Sequence, residues 1–361
     1  MATSLAIFVF IVSFSLSLLA TEDSIDQFRQ CVNCTVDDLD RFFNQTDTPY
    51  ESFRLLHSEN SKGPVLLVHG LSHSPYYMKD LANMYYQQGY DVYVPLLKGH
   101  GNAYEALETI HHSEWHSQIE SIFEQLSQRY SDKISLGGFS NGALLSTVST
   151  LSEYSRDKIS SLLLISPAFK LPLSVRLKLK TVVGFEKLVA VAKWSVLKSS
   201  FEKLRRLKVV SGMSEGTRGP VRYNDTPLNG VLQVNKGAAL MAERSKNRAI
   251  RIPTVMVLSS GDTLISNRYA VDTFNKLFAG EKHLIWLQSP GDQVEKTPRN
   301  VSPQNLSVIT VDSLVEHTIT LNRNSLARPS EGNPVYQEME KRISEKILNS
   351  GVKSCLLFYS K

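Results

Sequence analysis

The sequence is poor in cysteine. Among 361 residues only Cys31, Cys34 and Cys355 occur, which excludes a dense disulfide framework as the source of stability. With 42% hydrophobic residues, the chain has ample material for a hydrophobic core instead. In an exported protein Cys31 and Cys34 are expected to close a small disulfide and to leave Cys355 unpaired. A redox or metal pair is disfavoured, because the sequence has no second cysteine pair to complete it.

Long hydrophobic runs are also scarce. The one at residues 5–20 is shorter than the about 20 residues that span a bilayer. A polar segment follows it directly, which is typical of a secretory signal cleaved near Ala20. We therefore predict a signal peptide at residues 1–20 and an exported protein, periplasmic or secreted. Because the leader contains no Lys or Arg, anchoring to a membrane by an uncleaved N-terminal segment is the alternative.

The chain has only a small excess of positive charge, since it contains 40 Lys and Arg and 35 Asp and Glu. The excess is concentrated in residues 170–208, which contain eleven basic residues and two glutamates. Apolar residues recur there every three or four positions, which predicts amphipathic helices with a cationic face. This face is either a solvated surface or a contact with anionic lipid. Nucleic acid is not expected as a partner, because the segment has no aromatic platform for bases.

Short apolar runs alternate with amphipathic segments along most of the chain. The runs are rich in Val, Ile and Leu and are bounded by Gly, Pro or Ser, which is typical of strands buried on both faces. The alternation predicts an α/β fold with a mostly parallel sheet and helices on both faces. The predicted strands are residues 65–68, 90–94, 134–136, 162–165, 254–258 and 283–287, and the predicted helices are 78–88, 115–129 and 268–278.

One interval is too long for an ordinary crossover between strands. About eighty residues, 170–249, separate two predicted strands, which indicates an inserted helical cap. The predicted organisation is a signal peptide (1–20), an N-terminal extension (21–49), the first part of the core (50–169), the cap (170–249) and the second part of the core (250–361).

Two glycines surround a serine in Gly138-Phe139-Ser140-Asn141-Gly142, between a predicted strand and a helical run. A serine becomes a nucleophile when a base removes its proton, and a sharp strand-to-helix turn exposes its hydroxyl. Such a turn brings backbone segments close together. Small residues two positions before and two positions after the serine avoid a clash there. Alone the pattern has a high false-positive risk, and three further features support it.

The first is His69-Gly70-Leu71 after a strand, where the amides of Leu71 and Asn141 are placed to stabilise an oxyanion. The second is Asp262, just past a strand. The third is His317, after the last strand region. The chain order Ser, Asp, His is the order of the α/β-hydrolase architecture.

The chain resembles the α/β-hydrolase superfamily, and within it the capped monoglyceride lipase and carboxylesterase-like group. The resemblance runs from about residue 62 to 320 and lies in VLLVHGLSHSPYYMKDLA, QGYDVYVPLLKGHG, GGFSNG, LLLISPAF and LSSGDTLIS. It implies Ser140 as nucleophile, Asp262 as orienting acid and His317 as general base, with Leu71 and Asn141 forming the oxyanion hole. The chain departs from the pattern after 283–287, because a second apolar run at 306–311 precedes His317.

Other residues compete for these roles. His283 is the reserve candidate for the base and Asp312 the rival acid, while a turn or a helix cap is the alternative role of Asp262. The remaining histidines are expected to be structural. His69 shapes the oxyanion turn (residues 69–71), His73 lies at the pocket mouth, and His100 lies in a turn. An exposed helix start explains His111, His112 and His116 better than a metal site does.

We therefore expect a serine hydrolase that cleaves carboxylic esters without a cofactor. Its substrate is expected to be a small-molecule ester or a lipid-derived one, such as a monoacylglycerol or a lysophospholipid. Two alternatives remain. One is a catalytically silent relative that binds lipid or a protein partner, and the other is a peptidase of the same fold.

Overall fold

The computed structural model describes residues 36–43, 51–101, 107–177, 179–180, 226–290, 297–320 and 333–348. The predicted signal peptide, the three cysteines and most of the basic stretch lie outside these residues. Export, anchoring and membrane contact therefore stay predictions, as do the domain boundaries. Within the described ranges no helix combines the length and the apolar character that a bilayer crossing requires.

A mixed sheet forms the centre of the described chain, with strand order β1-β3-β2-β4-β5-β6-β7-β8. The edge strand β1 pairs antiparallel with β3, and the other strand pairs are parallel. Every residue of β2, β3, β4 and β6 is buried, as continuous Val, Ile and Leu runs predict. The strands are β1 (Phe53–Leu55), β2 (Pro64–Val68), β3 (Asp91–Val94), β4 (Ile134–Phe139), β5 (Ile159–Ile165), β6 (Thr254–Ser259), β7 (Lys282–Gln288) and β8 (Leu306–Thr310).

Helices cover both faces of the sheet. The described α-helices are α1 (Val36–Phe43), α2 (Lys79–Gln87), α3 (His112–Arg129), α4 (Asn141–Thr150), α5 (Leu228–Arg244), α6 (Asn267–Leu277) and α7 (Tyr336–Ile343). Residues of α1, α3, α4, α5 and α6 join one hydrophobic cluster, and residues of α2 and α7 join the cluster on the opposite face. Local signals fix the helix starts: His111 and Glu114 form a capping box for α3, and the Ser266 hydroxyl caps α6.

The predicted α/β fold is confirmed, and all six predicted strands and all three predicted helices are present within a few residues. β1 is not among the predicted strands, because a three-residue edge strand has no clear periodicity. The apolar run at 306–311 forms β8, which adds to the sheet beside β7 in parallel register. Of the predicted cap, the structure describes α5 and a short helical segment at 173–177.

Candidate active site

Ser140 lies on the sharp turn between β4 and α4. Its backbone angles, φ 55° and ψ −113°, lie in a region that costs a non-glycine residue about 1–3 kcal/mol. Hydrogen bonds hold it there, because its N–H donates to the Ile165 carbonyl at 2.8 Å and its carbonyl accepts from Leu144 and Ala168 at 3.1 Å. The strained turn raises the hydroxyl above the sheet, as the motif predicts.

The two flanking glycines are required by close backbone contacts. A Cβ added to Gly142 would lie 2.0 Å from the Val68 carbonyl oxygen, and one added to Gly138 would lie 2.3 Å from the Gly142 carbonyl carbon. Both distances are far below van der Waals contact, so only glycine lets α4 start this close to β2 and β4. The glycines therefore allow the turn that exposes Ser140.

The structure brings Ser140, His317 and Asp262 together from distant parts of the chain. His317 Nε2 lies 2.8 Å from Ser140 Oγ, and His317 Nδ1 lies 2.6 Å from Asp262 Oδ2. All three residues are at most 9% exposed. Because an ionised carboxylate only accepts hydrogen bonds, Nδ1 carries the ring hydrogen and Nε2 accepts from the serine hydroxyl. The imidazole is therefore oriented to take the hydroxyl proton.

Asp262 makes both kinds of contact that its sequence context suggested. Its Oδ1 accepts from the backbone N–H of Leu264 at 2.9 Å and of Ile265 at 3.4 Å, which is the turn interaction typical of Asp. Its Oδ2 remains free for His317. The turn thus fixes the carboxylate that orients the ring, whereas the rival acid Asp312 is exposed.

Leu71 and Asn141 lie beside Ser140. Asn141 is the first residue of α4, so its N–H has no acceptor within the helix. Leu71 follows Gly70, whose added Cβ would lie 3.1 Å from Ser140 Cβ, and it lines the same pocket as Ser140. Both amides thus belong to segments that border the serine, where an oxyanion would form.

His69 holds the turn that contains Leu71. Its Nδ1 lies 2.9 Å from the Gly70 carbonyl, and its Nε2 lies 3.0 Å from the Leu97 nitrogen, so Nδ1–H donates and Nε2 accepts in a single neutral tautomer. Burial, with a smaller contribution from His100, lowers the His69 pKa well below its usual range. The ring is therefore a structural bridge, in keeping with the role expected of it.

His283 does not serve this site. Its Nε2 lies 2.8 Å from Ser307 Oγ, on the outer pair of strands. Burial lowers its pKa to about 4, and the charges of Lys346 and Arg342 add to that shift. The imidazole in contact with Ser140 is that of His317.

The histidines around the start of α3 have different surroundings. Within the described ranges no group of three or more His, Cys, Asp or Glu side chains is arranged to hold a metal ion. His111 caps α3 through its side chain. The expectation that an exposed helix start explains all three is wrong for His116, which is buried between α3 and α5, because the first turn of α3 packs under α5.

A pocket opens above Ser140. Most of its lining is apolar and comes from the oxyanion turn, the start of the insert, α5 and the Asp262 turn. Among the described lining residues none is Asp, Glu, Lys or Arg. The lining consists of Leu71, Ser72, His73, Ser140, Ala168, Leu171, Val175, Thr226, Val231, Val234, Leu264, Ile265 and His317.

Apart from His73 and the predicted site residues, these lining residues were not predicted from the sequence. Val231 and Val234 are three residues apart on α5, and this spacing was the available signal. Thr226, just before α5, hydrogen-bonds Ser72 with 2.5 Å between the hydroxyl oxygens. The insert is therefore joined to the oxyanion turn.

Comparisons with known proteins identify a hydrolase family. Residues 59–289 match the family described as serine aminopeptidase, S33. Over 235 residues the chain is 28% identical to a thermostable monoacylglycerol lipase of Bacillus sp. (strain H-257), a match that covers 64% of this chain and 84% of that lipase.

Solved structures share the fold. Those reported for LipS and LipT, two metagenome-derived lipolytic enzymes, include one with a TM-score of 0.55 at 16% identity, covering 84% of this chain and 100% of that one. DcsB in complex with its substrate analogue gives a TM-score of 0.51 at 13% identity, covering 81% and 92%. Identities this low show a common architecture alone.

Proposed function

Because the chain belongs to the serine aminopeptidase S33 family of α/β-hydrolases, we propose that it cleaves lipid-derived carboxylic esters with Ser140, His317 and Asp262. The chain is a hydrolase of the lipase and esterase type. The observation that carries the proposal is the 2.8 Å contact between His317 Nε2 and Ser140 Oγ on the floor of an apolar pocket.

The reaction follows from the hydrogen bonds. His317 takes the Ser140 proton as the serine oxygen attacks the ester carbonyl, and Asp262 stabilises the imidazolium that forms. The Leu71 and Asn141 amides donate to the oxyanion. As the tetrahedral intermediate collapses and the ester C–O bond breaks, the imidazolium gives its proton to the leaving oxygen, so an alcohol departs and an acyl group remains on Ser140. Water, activated by the same histidine, attacks the acyl-enzyme and releases the acid.

The pocket favours an acyl chain over a peptide. Leu171, Val175, Val231 and Val234 provide apolar surface, and each buried methylene of an acyl chain contributes about 0.8 kcal/mol. A carboxylate is a strong partner for the protonated amino terminus of a peptide, and the described lining residues include none. We therefore prefer a monoacylglycerol or lysophospholipid substrate to a peptide.

Active-site labelling tests the nucleophile. A fluorophosphonate probe is expected to label the wild-type protein and to leave Ser140→Ala unlabelled, because the probe forms a bond with an activated serine. Ser146→Ala is a matched control, since this buried serine lies in α4 and bonds the Gly137 carbonyl. If the folded wild type is not labelled, the protein is a silent relative that binds lipid or a partner.

A substrate panel tests the lipid assignment. We expect kcat/KM for p-nitrophenyl esters to rise by at least about tenfold from acetate to octanoate, because the added methylenes are buried in the apolar pocket. Monoolein and lysophosphatidylcholine, assayed beside them, separate the two lipid classes. A preference for acetate contradicts the lipid assignment, and faster cleavage of aminoacyl-p-nitroanilides favours the peptidase.

A further inference from the structure

His317 reaches the site by an indirect route. The chain leaves β7 at Gln288, forms the outer strand β8, and only then returns towards Ser140. The Val311 nitrogen donates to the Gln288 carbonyl at 3.0 Å, so the end of β8 lies beside the end of β7. From there a segment without regular structure carries His317. Something other than a strand must therefore fix the position of the imidazole.

Two serine hydroxyls hold the backbone of this segment at Val315. Ser289 Oγ accepts from the Val315 N–H at 3.0 Å, and Ser259 Oγ donates to the Val315 carbonyl. Both backbone polar groups of a buried residue thus have side-chain partners. Ser259 is the last residue of β6 and Ser289 follows β7, and both are at most 3% exposed. We call Ser259, Ser289 and the Val315 backbone the serine clamp.

The clamp also contacts the segment that carries the acid. Ser259 Oγ accepts from the Gly261 N–H at 3.3 Å, and the Ser259 carbonyl accepts from the Asp262 N–H at 3.1 Å. The two segments approach closely, since a Cβ added to Gly261 would lie 2.7 Å from the Val315 carbonyl oxygen. One serine is therefore bonded both to the backbone beside Asp262 and to the backbone near His317.

We propose that Ser259 and Ser289 are positioning residues that hold His317 between Asp262 and Ser140. This inference rests on the proposed function. Neither hydroxyl lines the described pocket, so the serines act through Val315 and not on the substrate. A displacement of about 1 Å at the base is enough to slow catalysis about 100-fold, and an unstructured segment does not by itself fix an imidazole that closely.

The test compares alanine variants on a short ester such as p-nitrophenyl butyrate. Ser259→Ala and Ser289→Ala are expected to lower kcat about 10- to 100-fold while KM stays within about twofold, because the imidazole is misplaced and the pocket is intact. Fluorophosphonate labelling is expected to slow in parallel. Ser289→Thr keeps an oxygen that accepts from Val315 and is expected to recover most of kcat.

Ser161→Ala is the matched control. Ser161 is a buried serine in β5 whose hydroxyl donates to Ser135 Oγ at 3.0 Å, towards the end of the sheet away from Ser140. It is expected to lose about as much thermal stability as the clamp variants and to keep wild-type kcat. This separates a loss of buried hydrogen bonding from a loss of positioning.

The outcomes distinguish the two proposals. If the wild type is active and both clamp variants keep kcat within twofold, the clamp is only structural and the inference is wrong. If Ser289→Thr is as slow as Ser289→Ala, the retained hydroxyl does not position the base, which also contradicts it. If one alanine variant fails to fold, the other decides. Without labelling or hydrolysis by the wild type, the proposed function itself fails and the clamp with it.

Discussion

At the scale of single residues, Asp262 shows how one side chain combines a structural and a functional contact. Its two oxygens face different partners: Oδ1 binds the backbone N–H groups of the turn, and Oδ2 binds His317. The turn bonds hold the carboxylate independently of His317, so they offset part of the conformational entropy lost when the side chain is ordered. The carboxylate is placed to set the tautomer of His317.

Asp262→Asn tests this function. The amide oxygen can still accept from Leu264 and Ile265, so the fold should persist. The amide nitrogen that then faces His317 is a donor, however, and it favours the wrong tautomer. We expect kcat to fall about 10⁴-fold with little change in melting temperature. Asp312→Asn is the control and should retain wild-type kcat; a loss below tenfold in Asp262→Asn would count against the proposed acid.

At the scale of elements, α1 shows that part of the N-terminal extension packs on the core. Leu39 and Phe43 are buried, and the Phe43 ring meets Tyr93 of β3 edge to face with 5.2 Å between centroids. Asp40 pairs with Arg54 of β1 and with Arg129 of α3, the latter at 2.5 Å. The helix therefore packs on one face of the sheet beside α3 and is tied to β1 and β3 near the sheet edge.

Removal of the Phe43 ring measures how strongly α1 is attached. Phe43→Ala is expected to lower the free energy of unfolding by about 3 kcal/mol, because the cavity it leaves cannot close fully. Urea denaturation gives the value. Phe42 lies in the same turn of α1 but is only half-buried. Phe42→Ala is therefore expected to lower the free energy of unfolding by less than half as much. Equal losses would show that α1 is not held by the Phe43 contact.

At the scale of the whole molecule, buried histidines link stability to pH. Burial lowers the pKa of His100 to about 4 and of His116 to about 3, and His112 and Arg244 add to the shift of His116. An unfolded chain binds these protons near pH 6.5. Because the folded pKa values are lower, this part of the stability is fully present above pH 6.5. It is lost as the pH falls from there towards the folded values.

Acid should therefore destabilise the protein through His116 in particular. At pH 5 one fully buried neutral histidine lowers the free energy of unfolding by up to about 2 kcal/mol relative to pH 7.5. His116→Gln removes the titrating group. The free energy of unfolding that is lost between pH 7.5 and pH 5 should therefore be smaller in the variant by up to about 2 kcal/mol. Urea unfolding at both pH values measures it. An identical loss in wild type and variant would mean that His116 takes up its proton in the folded state as readily as in the unfolded one.

The sequence by itself determined six of the eight described strands, the principal helices and the serine turn, because these depend on neighbours along the chain. Unbroken apolar runs fix buried strands, and amphipathic spacing fixes the helix faces. Gly138 and Gly142 mark a backbone approach that other residues cannot make. The chain order Ser140, Asp262, His317 also follows from the sequence, since it needs no knowledge of contacts.

The tertiary structure alone decided which side chains meet. That His317 and not His283 reaches Ser140 depends on β8 joining the sheet edge and on the return of the chain to Val315. The burial of His116 and the apolar lining of the pocket depend on α5 packing over α3 and α4. These contacts join residues far apart in sequence. A local sequence pattern cannot predict the hydrogen bond between Ser140 and His317, because only folding brings the two residues together.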